Sequence, residues 1–390
     1  MLIAELDAAN ATRASAGLRR QRRVIDSPTG ARLIADGREV LHFGSNDYLG
    51  LAGDARVIAA AQAGAARYGV GSGASHLISG HGAAHEALER ELAAWVAPCA
   101  NARALLFSTG YMANLAVVTA LAGRGDAVFA DRLNHASLND AALLSRAEFV
   151  RYRHAETSAL DARLAASTAR HKLIVTDAVF SMDGDLAPLP RLLELAIAND
   201  AWLVVDDAHG FGVTGGGRGT LAHFAVASER IIYMGTLGKA AGVAGAFVAA
   251  HTSVIETLLQ SARTYIYTTA APPLLACALS ASLAIIHDDA RRRARLVSLI
   301  ARWRAAAALL PWTALPSQTP IQPLVVGASD DAVRVSTALW ERGIWVPAIR
   351  PPTVPQGTAR LRITLSAAHT DADVDLLAAT LADVGRRGGQ

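Results

Sequence analysis

Between residues 103 and 249 the sequence keeps one rhythm, in which short apolar runs alternate with stretches of helical character. The runs fall at 104–107, 126–130, 147–152, 172–180, 201–207, 230–236 and 245–250. They lack polar–apolar alternation, so they suit strands covered on both faces. Helical crossovers between such strands favour a mostly parallel central sheet, and the rhythm therefore predicts an α/β fold. Composition agrees: 52% of residues are hydrophobic and 18% charged, which excludes a disordered chain. Aromatic residues make up only 5%, so Ala, Val, Leu and Ile must build the core.

The flanks read differently. Residues 2–23 predict a helix that turns basic at its end, and 30–43 predict a hairpin around Asp36-Gly37. SNDYLGL (45–51) reads as a loop before a helix through 57–66, and 68–82 is too rich in glycine to be regular. Glu86, Leu88, Leu92 and Trp95 mark an amphipathic helix. Beyond Pro272-Pro273 one long helical region is expected over 274–309, then strands near 321–327, 344–349 and 359–366. The expected organisation is an N-terminal segment (1–45), a large domain (46–285) and a small α+β domain (286–390), working as one unit.

A net charge of +3 over 390 residues is no nucleic-acid footprint. The basic runs at 19–23 and 291–293 read as solvated helix faces. Cys99 and Cys277 lie too far apart in sequence to suggest a disulfide framework or a metal set. His76, His81 and His85 have neither an HExxH pattern nor a cysteine partner, so no metal is expected. The N-terminal residues lack the apolar core of a secretory signal, and no apolar run approaches the ~20 residues of a membrane span. A cytoplasmic protein without membrane contact is expected.

The chemistry concentrates in 177–239. Asp206 ends one strand-like run in VDDAHG, and Lys239 follows the next in GTLGKA. Groups at the C-terminal ends of parallel strands face the crevice where open α/β sheets bind ligands. A carboxylate and a lysine there are the two charged groups that pyridoxal phosphate requires: the amine bonds its aldehyde and the acid holds its ring nitrogen protonated. A strand-end Asp is also a common cap, and a lysine after glycine a common surface residue. STGYMAN, a turn entering a helix, presents backbone N–H groups to an anion. His135 in NHAS is placed to stack on a planar ring or to bond locally, and Ser181 and Thr236 offer hydroxyls.

Taken in order, SNDYLGL, the glycine-rich 69–82 stretch, STGYMAN, NHAS, FSMDGDLAPL, VDDAHG, GTLGKA, YTTAAPP and AIRPPTVPQGTARLRITL resemble the α-oxoamine synthases over nearly the whole chain. These are fold-type I pyridoxal-phosphate enzymes that condense an amino acid with an acyl thioester and release carbon dioxide. The resemblance implies a mostly parallel sheet in a large domain with a smaller α+β C-terminal domain, a homodimer, and pyridoxal 5′-phosphate as cofactor. It implies Lys239 as the cofactor-bonding lysine, Asp206 as partner of the ring nitrogen, His209 as donor to the phenolic oxygen and His135 as the stacking ring. Gly110, Tyr111, Ser181 and Thr236 complete the implied cofactor contacts. Arg20, Asn46, Arg350 and Thr353 are the implied substrate side, with Thr268 and Thr269 near the neighbouring subunit's site. The implied substrates are L-alanine and a pimeloyl thioester, on coenzyme A or an acyl carrier protein; glycine with acetyl- or succinyl-CoA is the nearest alternative, and an aminotransferase or a non-catalytic scaffold of this fold the more distant ones. Ser75-His76 departs from the family's glycine or arginine after the serine, which puts the loop contacts there in doubt.

Overall fold

The computed structural model describes residues 1–15 and 18–388. A first helix, Leu2–Ser15, buries none of its side chains. The basic run 19–23 does not continue it but lies in non-helical chain. Four arginines in five residues repel one another along a helix, and the segment instead lies against the hairpin, with Asp36 donating its N–H to the Val24 carbonyl at 2.8 Å. The hairpin strands are β1 (Arg32–Ala35) and β2 (Arg38–His42), joined where Asp36 and Gly37 both take positive φ (50° and 75°).

The central sheet holds β3 (Ala102–Phe107), β4 (Ala127–Asp131), β5 (Glu148–Tyr152), β6 (Lys172–Asp177), β7 (Ala201–Asp206), β8 (Ile231–Thr236) and β9 (Ala246–His251). Their spatial order is β3-β9-β8-β7-β6-β4-β5, and β9 alone runs against the rest. Both faces are covered, as the unbroken apolar runs require. Leu203 and Val205 pack into one core layer with Phe129, Ile174, Tyr233 and Phe247, while Val204 packs into the other with Val128, Val175 and Ile232. β6 is shorter than the run 172–180, because past Asp177 the chain leaves the ladder to deliver Ser181.

The small domain carries β10 (Thr313–Ala314), β11 (Ile321–Gly327), β12 (Ile344–Trp345), β13 (Ala348–Ile349) and β14 (Ala359–Thr364). Four of these form a sheet in the order β10-β11-β14-β13, while β12 pairs in parallel with β2 of the N-terminal hairpin. The strand expected over 344–349 is thus two strands in two sheets, parted by Pro347, which has no N–H for a ladder. The helical region 274–309 is likewise two helices, Pro273–Asp288 and Ala290–Ala307, bent by 69°. Asp289 sits at the break with non-helical ψ, and its carboxylate accepts from Arg292 Nε at 3.2 Å. Among the described residues no single helix is long and apolar enough to cross a membrane.

Candidate active site

Neighbouring parallel strands β7 and β8 end on the same edge of the sheet. β7 places Asp206 there, buried, and three residues beyond β8 the chain reaches Lys239. Each Asp206 oxygen is held: one accepts from Asn114 Nδ2 at 2.7 Å, the other from the Ala208 N–H at 3.0 Å. Asn114 comes from the helix Gly110–Leu121, whose first turn is capped by Thr109 Oγ1 accepting from the Met112 N–H. The same Asn114 amide donates to Ser137 Oγ at 2.9 Å, and Ser137 Oγ lies 2.7 Å from His135 Nδ1. The His135 N–H donates to Asp177, the last residue of β6 and the register partner of Asp206. Burial and the adjacent Asp206 charge push the Asp177 carboxyl well above the usual carboxylate range. One continuous network therefore ties Asp206 to His135.

A second chain of contacts runs from Lys239. Lys239 Nζ lies 2.9 Å from His209 Nε2, His209 Nδ1 lies 2.5 Å from Tyr48 Oη, and Tyr48 Oη lies 3.3 Å from Asn46 Oδ1. Arg362, buried on β14, donates to Asn46 Oδ1 at 3.2 Å and through Nε to the Ser181 carbonyl at 2.7 Å. Burial brings the Lys239 amine down to about 8, against the opposing pull of Asp206 and Asp177. Burial, with the positive charges of Lys239 and Arg362, holds His209 well below the ordinary imidazole range. The site thus presents an amine that sheds its proton near neutrality beside a neutral imidazole and a fixed carboxylate.

The remaining expected residues fall around these two networks. Gly110 opens the helix at the mouth of the site, and the Tyr111 hydroxyl donates to Asp140, its ring standing edge-on to His135 at 6.3 Å. Thr236 Oγ1 donates to the Gly245 carbonyl at 3.1 Å. Arg20, Arg350 and Thr353 line one cavity of about 940 Å³, which Asn10 and Arg13 of the first helix also line. Asn46 does not line that cavity; it belongs to the Lys239 chain. The glycine-rich stretch 69–82 lies against the segment of Thr268 and Thr269, with Ser75 bridging to Thr269 and Ser72 Oγ donating to the Ala271 carbonyl at 2.7 Å. The unusual His76 stacks on Tyr265 at 4.8 Å between ring centres. His81, Glu86 and Glu89 bring one ligand atom each within 4.8 Å of one another, although Glu89 already accepts the Leu106 N–H.

Sequence reasoning passed over Tyr48, Asn114, Ser137, Asp177 and Arg362. Four of them lie inside or beside stretches already singled out, SNDYLGL, STGYMAN, NHAS and ARLRITL. Their signal was a polar residue set among small or apolar ones, which no spacing rule distinguishes from a cap. Asp207 follows Asp206 in VDDAHG. It is fully buried, pushed up to about 7 by burial, and accepts from Thr220 N–H and Oγ1 at 2.6 Å each and from Tyr233 Oη at 2.9 Å. A Cβ on Gly210 would come within 2.0 Å of its Oδ1, which explains why glycine follows the histidine in DDAHG.

This arrangement has counterparts. The aminotransferase class I and II family model matches residues 38–381. The 8-amino-7-oxononanoate synthase of Nitrosomonas europaea is 61% identical over 393 residues, covering 99% of this chain and 100% of that protein. The chain belongs to the 8-amino-7-oxononanoate synthase family. A solved member of that family, from Francisella tularensis, is 30% identical and superposes with a TM-score of 0.77 over 90% of this chain and 99% of its own. The 8-amino-7-oxononanoate synthases share their fold with serine palmitoyltransferase: the S. paucimobilis enzyme, solved with bound PLP and myriocin, is 28% identical with a TM-score of 0.92, covering 99% of this chain and 98% of its own. The fold is thus that of the fold-type I pyridoxal-phosphate enzymes.

Proposed function

We propose that this protein condenses L-alanine with a pimeloyl thioester, on coenzyme A or an acyl carrier protein, to give 8-amino-7-oxononanoate, carbon dioxide and the free thiol carrier in biotin biosynthesis. The observation that carries the reading is the Lys239 amine, held beside His209 on the strand edge where Asp206 is fixed. Pyridoxal 5′-phosphate fits this donor set: an amine for its aldehyde, a buried carboxylate for its ring nitrogen, a neutral imidazole for its phenolic oxygen, and a helix N-terminus at Gly110 and Tyr111 for its phosphate. When bound, it supplies an electron sink for the charge left on alanine Cα.

The chain's own residues do the rest. Lys239, with its amine near neutrality, takes the proton from alanine Cα and returns one after carbon dioxide leaves. Asp206 keeps the facing nitrogen protonated, and two donors hold its carboxylate in place. His135 would stack on the cofactor ring and orient the acyl carbonyl, while Ser181 and Thr236 would supply hydroxyls to hold the cofactor. Arg350 takes the alanine carboxylate, and Arg20, across the same cavity with Thr353, takes the far end of the acyl chain. Asn46, held by Tyr48 and Arg362, is the remaining substrate-side residue.

The working division remains 1–45, 46–285 and 286–390, with the first and last parts sharing the β1-β2-β12 sheet. We read the protein as a cytoplasmic homodimer. Support for the dimer comes from Val70 (78% exposed), Ile78 (80%) and Tyr267 (71%), apolar side chains on the two segments joined by the Ser75–Thr269 bridge. Incubation of the cofactor-loaded protein with alanine or glycine and each of pimeloyl-, acetyl- and succinyl-CoA, with mass measurement of the products, tests the reading. Product from alanine and pimeloyl-CoA with carbon dioxide release is expected; preference for glycine, or amino transfer without carbon dioxide, would overturn it.

A further inference from the structure

His209 has two ring nitrogens and, among the described residues, two hydrogen-bond partners: Lys239 Nζ at Nε2 and Tyr48 Oη at Nδ1. Proton counting allows two arrangements. With a charged Lys239, the amine donates to Nε2, Nδ1–H donates to Tyr48 Oη, and the Tyr48 hydroxyl donates to Asn46 Oδ1. With a neutral Lys239, whose amine can accept as well as donate, the opposite direction also opens: Nε2–H points at the amine lone pair, and the Tyr48 hydroxyl donates to Nδ1. Asn46 Oδ1 is then satisfied by Arg362 alone, at 3.2 and 3.3 Å. The tautomer is therefore fixed only when a neighbour commits one ring nitrogen, as a charged Lys239 commits Nε2 to accept.

The position assigned to the cofactor's phenolic oxygen needs a donor from His209, and so selects the second arrangement. An imidazolium is disfavoured there by burial and by the charges of Lys239, Arg362 and His135. A neutral ring that donates from Nε2 must accept at Nδ1, and Tyr48 is the donor in reach. Tyr48 is completely buried, and burial pushes its phenol up to about 12, so its proton stays in place at working pH.

We propose that Tyr48 is a positioning residue that sets the His209 tautomer, its hydroxyl turning from Asn46 to Nδ1 so that Nε2–H faces the cofactor's phenolic oxygen. The proposal rests on the reading of Lys239 and His209 as the cofactor site.

The test uses protein with ¹⁵N-labelled histidine rings, wild type and Tyr48→Phe, with the His209 signals assigned by their loss in His209→Gln. In the cofactor-loaded wild type, Nε2 should carry the proton and Nδ1 should report as an acceptor. Tyr48→Phe should show mixed tautomers and bind pyridoxal 5′-phosphate roughly tenfold more weakly, as expected when a buried nitrogen loses its partner. A Tyr48→Phe protein that keeps the Nε2–H tautomer and binds the cofactor within twofold of wild type overturns the proposal. The cofactor-free wild type near pH 6 separates the two readings. There the charged Lys239 can only donate, so His209 should accept at Nε2 and carry its proton on Nδ1; an Nε2–H tautomer there would overturn the proposed turn of the Tyr48 hydroxyl, whatever the cofactor contacts prove to be. Failure of the wild type to take up the cofactor at Lys239 would sink the site reading instead.

Discussion

Taking an amine out of water lowers its proton affinity, and nearby carboxylates raise it again; at Lys239 burial wins and the group comes to about 8. Lys239→Ala should therefore remove both the visible absorbance of the bound cofactor and turnover, read by spectrum and product assay; survival of both would sink the assignment. Asp206→Ala should leave the cofactor attached through Lys239 but lower kcat by about a hundredfold or more, as for other charge-stabilising groups. An unchanged kcat would remove Asp206 from the chemistry. Asp207 works through packing: Asp207→Ala should cost roughly 2–4 kcal/mol in urea unfolding, because three buried donors lose one acceptor. The contrast marks what was legible at this scale. Lys239, Asp206 and His209 announce themselves because their residue types sit at strand ends, where an α/β sheet keeps its crevice. Tyr48 and Arg362 do not, since their meaning lies in partners 161 and 316 positions away in sequence.

Elements are tied together here by charged side chains that no periodicity reveals. His154 receives two carboxylates, Asp131 at the end of β4 at 3.0 Å and Asp185 of the crossing segment at 2.8 Å. Burial opposes its charge, but the two carboxylates prevail and raise it to about 10. Because the folded value lies above the unfolded one, this contribution is complete below about 6.5 and fades as pH rises through about 10. The stability gap between wild type and His154→Ala should thus narrow between pH 7 and pH 10.5 in urea titrations; a constant gap would mean that the charge contributes nothing. Strand positions were legible because apolar runs are a local property. The split of 344–349 and the break at Asp289 were not, because Pro347 withholds a ladder N–H and Asp289 takes a non-helical ψ within otherwise continuous patterns. On the N-terminal segment, Arg23 lies 3.4 Å from the centre of the Trp340 ring and 2.7 Å from Asp36, three residues from Arg20. Arg23→Ala should raise KM for the acyl thioester several-fold, in keeping with the loss of a cation–π contact, while KM for alanine holds.

For the molecule as a whole, the surplus of apolar residues is accounted for by a sheet covered on both faces and by side chains still exposed at Val70, Ile78 and Tyr267. Ile78→Asp should shift the protein from dimer to monomer in sedimentation velocity; an undisturbed dimer would place the interface elsewhere. The α/β class and the smaller C-terminal part were legible from element rhythm. The sharing of a sheet by the two ends of the chain was not, because β12 is only two residues long and pairs with a strand near the start.

That pairing also sets a timetable for synthesis. On the ribosome the hairpin of β1 and β2 emerges early, yet the partner of its open edge is still ~300 residues from being made. At about 5–20 residues per second the edge waits on the order of 15–60 s. The doubly covered sheet can close in that interval, whereas the arginine-lined cavity, which needs residues 10–20 and 348–353 together, is completed only as translation ends. A ribosome that stalls before Trp345 therefore leaves a chain with most of its core and without the arginine-lined cavity.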